Sequence, residues 1–211
     1  MSFYSKKKKN ICFQKGMTYV ELIVVLSIFG AITSVVLFSY GDFQEKVDIR
    51  NLGNQIALKI VEAQKKAVVG QGTVQSVASS WKPSYGVAFS MAGDHGLNNK
   101  SFAYFADLDN DKSFNDTSCV LPVTSESGEC LDKIEITKGN IIQKMNIFYQ
   151  DESYETVPNL SVIFTRPDSG AIITGGSYTE SPLTYVRITI SSPNNILDFI
   201  KVYPSGRIEL E

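Results

Sequence analysis

The chain has 211 residues, of which 43% are hydrophobic and 20% charged, so it can bury a core and is not disordered as a whole. Its formal net charge is −2, but residues 1–16 hold five lysines and no acid, and the remaining 15 basic and 22 acidic residues carry a net charge of −7. This acidic remainder argues against a nucleic-acid backbone as the main partner.

The first predicted element is a long apolar helix that follows the basic leader. Residues 22–39 contain no charge, a length at the threshold for a membrane span. The preceding lysines place the amino end in the cytoplasm by the positive-inside rule. Glu21 is unexpected at the entry of this run, because an unpaired carboxylate in lipid costs about 2.5–3.5 kcal/mol.

Two ordinary interpretations of this segment are open. A cleaved secretory signal has a shorter apolar core and a small-x-small site after it, and this chain has neither. A plain single-pass anchor explains the length and the lysines, with Glu21 lying near the helix end, where an acid can reach the membrane interface.

The stretch GMTYVE, residues 16–21, followed by an unbroken apolar helix, resembles the class III signal of type IV pilins and type II secretion pseudopilins. The resemblance implies that prepilin peptidase cuts between Gly16 and Met17 and methylates the new amino terminus. It implies that Glu21, fifth in the mature chain, is an assembly residue that pairs with the amino terminus of a neighbouring subunit. The family prefers Phe where this chain has Met17.

These features predict a domain order. Residues 1–16 are a cleaved leader, residues 17–40 a transmembrane and assembly helix, residues 41–70 an amphipathic continuation of that helix, and residues 71–211 a β-rich head. The continuation is predicted from apolar residues at spacings of three and four, an i,i+4 pair of Glu62 with Lys66, and terminating glycines at 70 and 72. The apolar stripe consists of Leu52, Ile56, Ile60, Ala63 and Ala67.

After residue 72 the apolar period changes to two, which predicts an antiparallel β head of seven to nine strands. The fold class is therefore α+β, a long N-terminal helix packed on a small pair of sheets, which is the plan of a pilin. The candidate strands are residues 85–89, 101–106, 134–136, 141–149, 160–165, 171–174, 185–191, 198–203 and 207–210.

The carboxyl part, SVIFTRPDSGAIIT and then TYVRITISSPNNILDFIKVYPSGRIELE, resembles the GspH/FimT group of minor pilins and pseudopilins. The resemblance implies a minor structural subunit at the cytoplasmic membrane, with the amino terminus inside and the head outside, which later enters a filament. Its partners would be other pilin or pseudopilin subunits, prepilin peptidase and the inner-membrane assembly machinery.

A DNA-uptake or adhesive tip subunit is the rival on the same scaffold. Some relatives in the FimT group take up DNA through a carboxyl-terminal Gly-Arg-x-Arg. This chain has Gly206, Arg207 and Ile208 but then Glu209, and with the acidic charge this substitution disfavours nucleic acid.

The loop FADLDNDKSFND places Asp107, Asp109 and Asp111 at alternate positions. Oxygen ligands at the first, third and fifth places suit a hard cation, so Ca²⁺ is the candidate cofactor, and a solvated acidic loop is the alternative. An EF-hand would have Gly at the sixth place and Glu at the twelfth, where this chain has Lys112 and Ser118.

Cys119 and Cys130 flank a polar loop, and if the apolar run marks export they are expected to form a disulfide worth roughly 3 kcal/mol; two reduced thiols are the alternative. Catalysis has little support, because the chain lacks the common catalytic motifs and its one histidine, His95, lies in a Gly-rich segment expected to be a solvated turn. We therefore expect no enzyme, and a membrane-anchored enzyme with an uncleaved anchor is the rival.

Overall fold

The computed structural model describes residues 16–72, 82–116, 119, 128–175 and 182–211, leaving out the side chains of residues 38, 39 and 42. The predicted leader, with its lysines and Cys12, lies outside the described residues except for Gly16. Tertiary contacts divide the chain into two compact units, and the division falls between Phe43 and Gln44.

One helix, α1, covers Tyr19–Val69. It ends just before Gly70, as the sequence predicted, because Gly70 adopts a left-handed conformation with a φ of 66°. The N–H of Gly70 donates to the carbonyl of Ala67 at 3.0 Å, and the N–H of Gln71 donates to the carbonyl of Lys66 at 3.1 Å. This pair of bonds is the Schellman motif, which satisfies carbonyls that the last turn would leave unpaired.

After α1, the described residues of the second unit form ten strands in two antiparallel sheets. The strands are β1 Ser84–Ser90, β2 Ser101–Asp107, β3 Cys130–Glu135, β4 Ile141–Tyr149, β5 Tyr154–Thr156, β6 Asn159–Phe164, β7 Ala171–Thr174, β8 Leu183–Ser191, β9 Leu197–Val202 and β10 Ile208–Leu210. The first sheet has the order β3-β2-β1-β6-β7 and the second the order β10-β9-β8-β4-β5. A short 3-10 turn, Asp94–Gly96, lies between β1 and β2.

The main core joins the second part of α1 to both sheets. Ile56 and Ile60 of α1 are fully buried and belong to one apolar cluster with Phe89 of the first sheet and Ile188 of the second. All five residues of the predicted helical stripe are buried, and Ile49 extends the stripe by one turn. The predicted pair also forms, with Lys66 Nζ 3.0 Å from Glu62 Oε1.

A second, smaller core lies on the opposite face of the first sheet. It contains Phe105, Ile163 and Cys130 from the strands together with Phe114 and Cys119 from the segment that joins β2 to β3. The described residues of this segment therefore cover part of that face, and every residue of β1 and β2 is buried. Its position fixes the acidic loop against the protein.

The α+β class, the long apolar N-terminal helix and the antiparallel sheets are confirmed. Nine of the ten described strands were predicted, two of them with both ends matching and the others with ends that differ by at most four residues. The strand that was missed is β5, three residues that pair with β4 across a tight turn at Glu152, whose φ is 64°.

Candidate functional sites

The amino end of α1 holds the residues predicted for processing and assembly. Gly16 and Met17 precede the helix and are exposed. Thr18 caps the helix, because its Oγ1 accepts a hydrogen bond from the Glu21 N–H at 3.3 Å and its carbonyl accepts one from the Leu22 N–H at 3.1 Å. Glu21 therefore lies in the first turn and is exposed.

The helix that follows has the length and composition of a membrane span over Tyr19–Leu37. The mean hydropathy is 2.5, and none of this segment is buried within the protein. Its hydroxyls are satisfied locally, since Ser27 Oγ donates to the carbonyl of Val24 and Thr33 Oγ1 to that of Phe29, both at 2.8 Å. Such bonds lower the cost of hydroxyls in lipid. The segment is compatible with a single-pass anchor and with a signal sequence.

The three aspartates predicted as cation ligands lie together at the end of β2. One carboxylate oxygen from each of Asp107, Asp109 and Asp111 lies within 4.8 Å of the other two. Asp107 is fully buried, and the other two are exposed. Burial raises the pKa of the Asp107 carboxyl above its usual range, although backbone N–H groups of the loop oppose this.

The loop backbone curls around these carboxylates. Asn110 and Lys112 both have a φ of 62°, and the Lys112 N–H donates to Asp107 Oδ2 at 3.3 Å. The N–H of Asp111 donates to Asp109 Oδ1 at 3.1 Å, and the Asn115 amide donates to Asp109 Oδ2 at 3.1 Å. The Asn115 amide lowers the pKa of Asp109.

The Asn115 amide also donates to the Asp111 carboxylate, Nδ2 to Oδ2 at 2.9 Å. The Asp111 carboxylate in turn accepts the Ser113 N–H on Oδ1 at 2.8 Å. All three aspartates are thus held by donors of their own loop.

Glu129, which was not predicted from the sequence, holds this loop through hydrogen bonds. It is 3% exposed, and its Oε1 accepts from the Leu108 N–H at 3.0 Å while its Oε2 accepts from the Asn115 N–H at 3.5 Å. Burial raises the pKa of Glu129 to about 7, and Asp109 and Asp107 add to the rise. Glu129 is 18 residues beyond Asp111 in the chain, so no local pattern connects it with the aspartates.

The predicted disulfide between Cys119 and Cys130 is present, with Cα atoms 5.4 Å apart. Both cysteines are buried beside Phe105 and Phe114. The Cys130 N–H donates to Asp116 Oδ2 at 3.2 Å. The disulfide therefore joins the end of the acidic loop to the start of β3.

His95 does not lie in an open turn as the sequence predicted. It is half-buried, its Nδ1 lies 2.9 Å from the carbonyl oxygen of Asp116, and its ring packs edge-on against Phe114, with centroids 5.7 Å apart. His95 has a left-handed φ of 57°, which departs from helical geometry within the 3-10 turn. It borders a cavity of about 120 Å³ that Ser90 and Asn159 also line.

At the carboxyl end of the chain, Arg207 lies beside Glu209. Arg207 Nη1 lies 3.1 Å from Glu209 Oε1, and the guanidinium lies 3.9 Å from the centre of the Tyr203 ring. Lys201 is likewise 2.6 Å from Glu211. The positive charges at this end are thus met by carboxylates of the same sheet.

No protein-family model matches this chain, and no curated protein and no solved structure matches it. What the chain does is therefore inferred from its own residues.

Proposed function

We propose that this chain is the precursor of a minor structural subunit of a type IV pilus or a type II secretion pseudopilus. Prepilin peptidase cuts it after Gly16, residues 17–40 hold it in the membrane, and the same helix later packs between neighbouring subunits. The head remains outside the cytoplasm. The observation that supports this best is Glu21 in the first turn of a helix whose apolar window, Tyr19–Leu37, has no buried residue.

The proposal explains why an acid stands at the entry of an apolar helix. Cleavage after Gly16 creates a cationic amino group on Met17, which can neutralise a carboxylate away from water. Thr18 already accepts the Glu21 N–H, and among the described residues no donor or cation meets the Glu21 carboxylate. The carboxylate is therefore available to the amino terminus of another subunit. A single ion pair of this kind sets the register of packing more than it adds stability.

The exposed apolar surface supports packing between subunits. The large hydrophobic side chains from Val20 to Leu37 have no partner within the described part of the chain. In the membrane, lipid covers them, and in a filament the equivalent helices of neighbouring subunits would cover them. Burying about 25 Å² of apolar surface is worth roughly 0.6 kcal/mol when water is the alternative.

Processing is tested by the amino-terminal sequence and mass of the protein purified from membranes, with and without prepilin peptidase. The expected product begins at Met17, carries one methyl group and depends on the peptidase. A Gly16→Val variant should remain uncut, whereas Gly41→Val, at another exposed glycine with open space around it, should be cut normally. A chain that begins at Met1, or a cut after residue 40, contradicts the proposal.

Assembly is tested separately through Glu21. A Glu21→Gln variant keeps the size and the hydrogen-bonding ability of the side chain but loses the charge. It should be cut and retained in the membrane yet absent from sheared filaments. Glu45→Gln is the matched control, because Glu45 lies further along the same helix and binds Ser192 and Asn194 of its own chain. Equal incorporation of both variants would rule out the assembly role of Glu21.

The observed surface charges weigh against the DNA-uptake rival. Arg207 and Lys201 are paired with Glu209 and Glu211, so a phosphate backbone would have to displace two carboxylates. The anchored-enzyme rival is distinguished by the same mass measurement, since it requires an intact leader.

A further inference from the structure

The acidic loop contains a carboxylate oxygen that its surroundings leave unsatisfied. Asp107 is fully buried, and its Oδ1 has no hydrogen-bond partner among the described residues, while its Oδ2 accepts the Lys112 N–H at 3.3 Å. A buried acceptor without a donor costs about 1–3 kcal/mol, and more when it is charged. The described residues therefore leave one oxygen of the Asp107 carboxylate without a hydrogen-bond partner.

The charge around Asp107 has the same sign throughout. Asp109 and Asp111 lie beside it, and Glu129 is buried under the loop. Within the described residues no lysine or arginine forms an ion pair with any of these four carboxylates; the donors are the Asn115 amide and backbone N–H groups. When these carboxyl groups are ionised they repel one another, and a cation between them would relieve that repulsion.

The spacing of the oxygens fits one cation. Ca²⁺ is bound by oxygen ligands at 2.3–2.6 Å, so two ligands of one ion are separated by at most about 5 Å. The three aspartate oxygens lie within 4.8 Å of one another. The exposed carboxylates of Asp109 and Asp111 leave a path to solvent, whereas Asp107 forms the floor.

The backbone of the loop has features that an EF-hand obtains from glycine. Counting Asp107 as the first place, Lys112 occupies the sixth, where an EF-hand has Gly for a sharp turn. Lys112 adopts the left-handed conformation that such a turn needs, with a φ of 62°, and its N–H points to the Asp107 carboxylate. Lys112 therefore differs from the EF-hand glycine in residue type but has the backbone conformation that the turn requires.

We propose that Asp107, Asp109 and Asp111 bind one Ca²⁺, and that Glu129 is a positioning residue that holds the two ends of the loop through the Leu108 and Asn115 N–H groups. Ca²⁺ is favoured over Mg²⁺ because one flexible loop of carboxylates suits its adaptable coordination, while Mg²⁺ demands near-ideal octahedral geometry. This site goes beyond the structural role proposed above and does not depend on it.

Bound Ca²⁺ would act on the same segment as the disulfide. Glu129 is adjacent to Cys130, and Asp116 at the other end of the loop binds the Cys130 N–H. Through Glu129 the cation would hold the acidic loop close to the start of β3, and the Cys119–Cys130 bond joins the end of that loop to the same strand. A ligand that binds only the folded chain raises its stability by mass action.

The test uses the full chain in detergent, with its disulfide intact, after removal of divalent ions by a chelator. Titration calorimetry with calcium chloride should give one site per chain, with a dissociation constant on the order of 10⁻⁴ M, as in extracellular modules. Thermal unfolding should shift upward over the same concentrations, and magnesium chloride should bind at least tenfold more weakly.

Matched variants locate the site. The double variant Asp109→Asn and Asp111→Asn changes two exposed side chains, so it should fold, and it should weaken Ca²⁺ binding at least tenfold. Asp168→Asn, in an exposed loop outside the cluster, should bind like the wild type. Glu129→Gln should bind more weakly and lose part of the thermal shift. Failure of the wild type to bind at millimolar Ca²⁺, or equal binding by the double variant, overturns the proposal.

Discussion

Lys112 has a side chain that does not favour its left-handed backbone conformation. A non-glycine residue in the left-handed region costs roughly 1–2 kcal/mol. Lys112→Gly should therefore raise the free energy of unfolding by about 1 kcal/mol, after allowing for the greater freedom of glycine in the unfolded chain. Urea unfolding, with a chelator and then with calcium chloride, measures the gain.

Asn110 provides the control for that change, because it has the same φ of 62°. Asn tolerates the left-handed region better than Lys, so Asn110→Gly should gain less. A loss of stability in Lys112→Gly would mean that the lysine side chain stabilises the loop more than its conformation costs.

Asp198 predicts a pH dependence of stability. It is 3% exposed, its Oδ2 has no hydrogen-bond partner among the described residues, and Arg50 Nη1 lies 3.6 Å from its Oδ1. Burial raises the pKa of Asp198 above its usual range, and Arg50 opposes the rise only in part. The folded chain therefore holds this proton to a higher pH than the unfolded chain does, so the residue's contribution to stability falls as the pH rises from about 4 through the folded pKa.

Asp198→Asn removes this titration. The variant should match the wild type near pH 4 and have the larger free energy of unfolding at pH 7, measured by urea unfolding across that range. Arg50→Gln should act oppositely, because it removes the cation that opposes the rise. If Asp198→Asn were less stable at pH 7, the ion pair with Arg50 would outweigh the cost of burial.

At the residue scale, local patterns were read correctly and distant ones were missed. The alternation of Asp107, Asp109 and Asp111 is visible in the sequence, and the structure brings the three together. The Asn115 amide belongs to the same loop. Glu129 completes the arrangement from 18 residues beyond Asp111, too far along the chain for a local pattern to show. His95 was expected to be solvated because it lies in a Gly-rich loop, yet Phe114, from the connection after β2, packs against its ring.

At the element scale, the second half of α1 depends on its apolar stripe. Ile60 is 0% exposed, whereas Leu58, two residues away on the same helix, is 66% exposed. Ile60→Ala should lower the free energy of unfolding by about 2–5 kcal/mol, because the lost methyl groups leave a cavity in a packed core. Leu58→Ala should change it by at most about 0.5 kcal/mol. Urea unfolding followed by near-ultraviolet circular dichroism distinguishes the two, and equal effects would show that the stripe does not anchor the helix.

The Cys119–Cys130 disulfide in the connection between β2 and β3 is expected to raise the free energy of unfolding. Removing it in Cys119→Ala with Cys130→Ala should cost roughly 3 kcal/mol, because the bond closes a short loop in the unfolded chain. Urea unfolding of the variant, compared with the wild type with and without a reducing agent, measures this. A cost below about 0.5 kcal/mol would indicate that the packing around Phe114 holds the segment without the bond.

Periodicity explains which elements could be predicted. The strand β8 alternates, with Val186, Ile188 and Ile190 buried in the core, so it was recognised with an end only two residues off. The strands β1 and β2 are buried on both faces and were recognised by composition and flanking turns. The strand β5 has three residues, YET, too few for any period, and it exists because a turn folds it back on β4.

At the scale of the whole molecule, processing would change the charge of the chain markedly. Loss of residues 1–16 removes five lysines and takes the net charge from −2 to −7. The processed protein should focus at a lower pH than the precursor, whose isoelectric point is about 5.5. Isoelectric focusing of membrane preparations with and without prepilin peptidase measures the difference, and a product with an unchanged isoelectric point would contradict cleavage after Gly16.

The two units differ in how well sequence alone predicts them. The first is a run of apolar residues whose length and exposure follow directly from composition. The second needs contacts between distant strands, and their order in the two sheets has no signature in any short stretch. The division between the units falls between Phe43 and Gln44, inside the continuous helix α1.

The outer strands of both sheets are short or charged, which affects how copies of the chain can associate. Three of the four outer strands, β5, β7 and β10, have only three, four and three residues, and the fourth, β3, carries Asp132, Lys133 and Glu135. Long, uncharged outer strands would pair with those of another copy and fuse the two domains. If many copies were held side by side, their sheets would therefore not pair with one another. The helix alone would then hold the copies together.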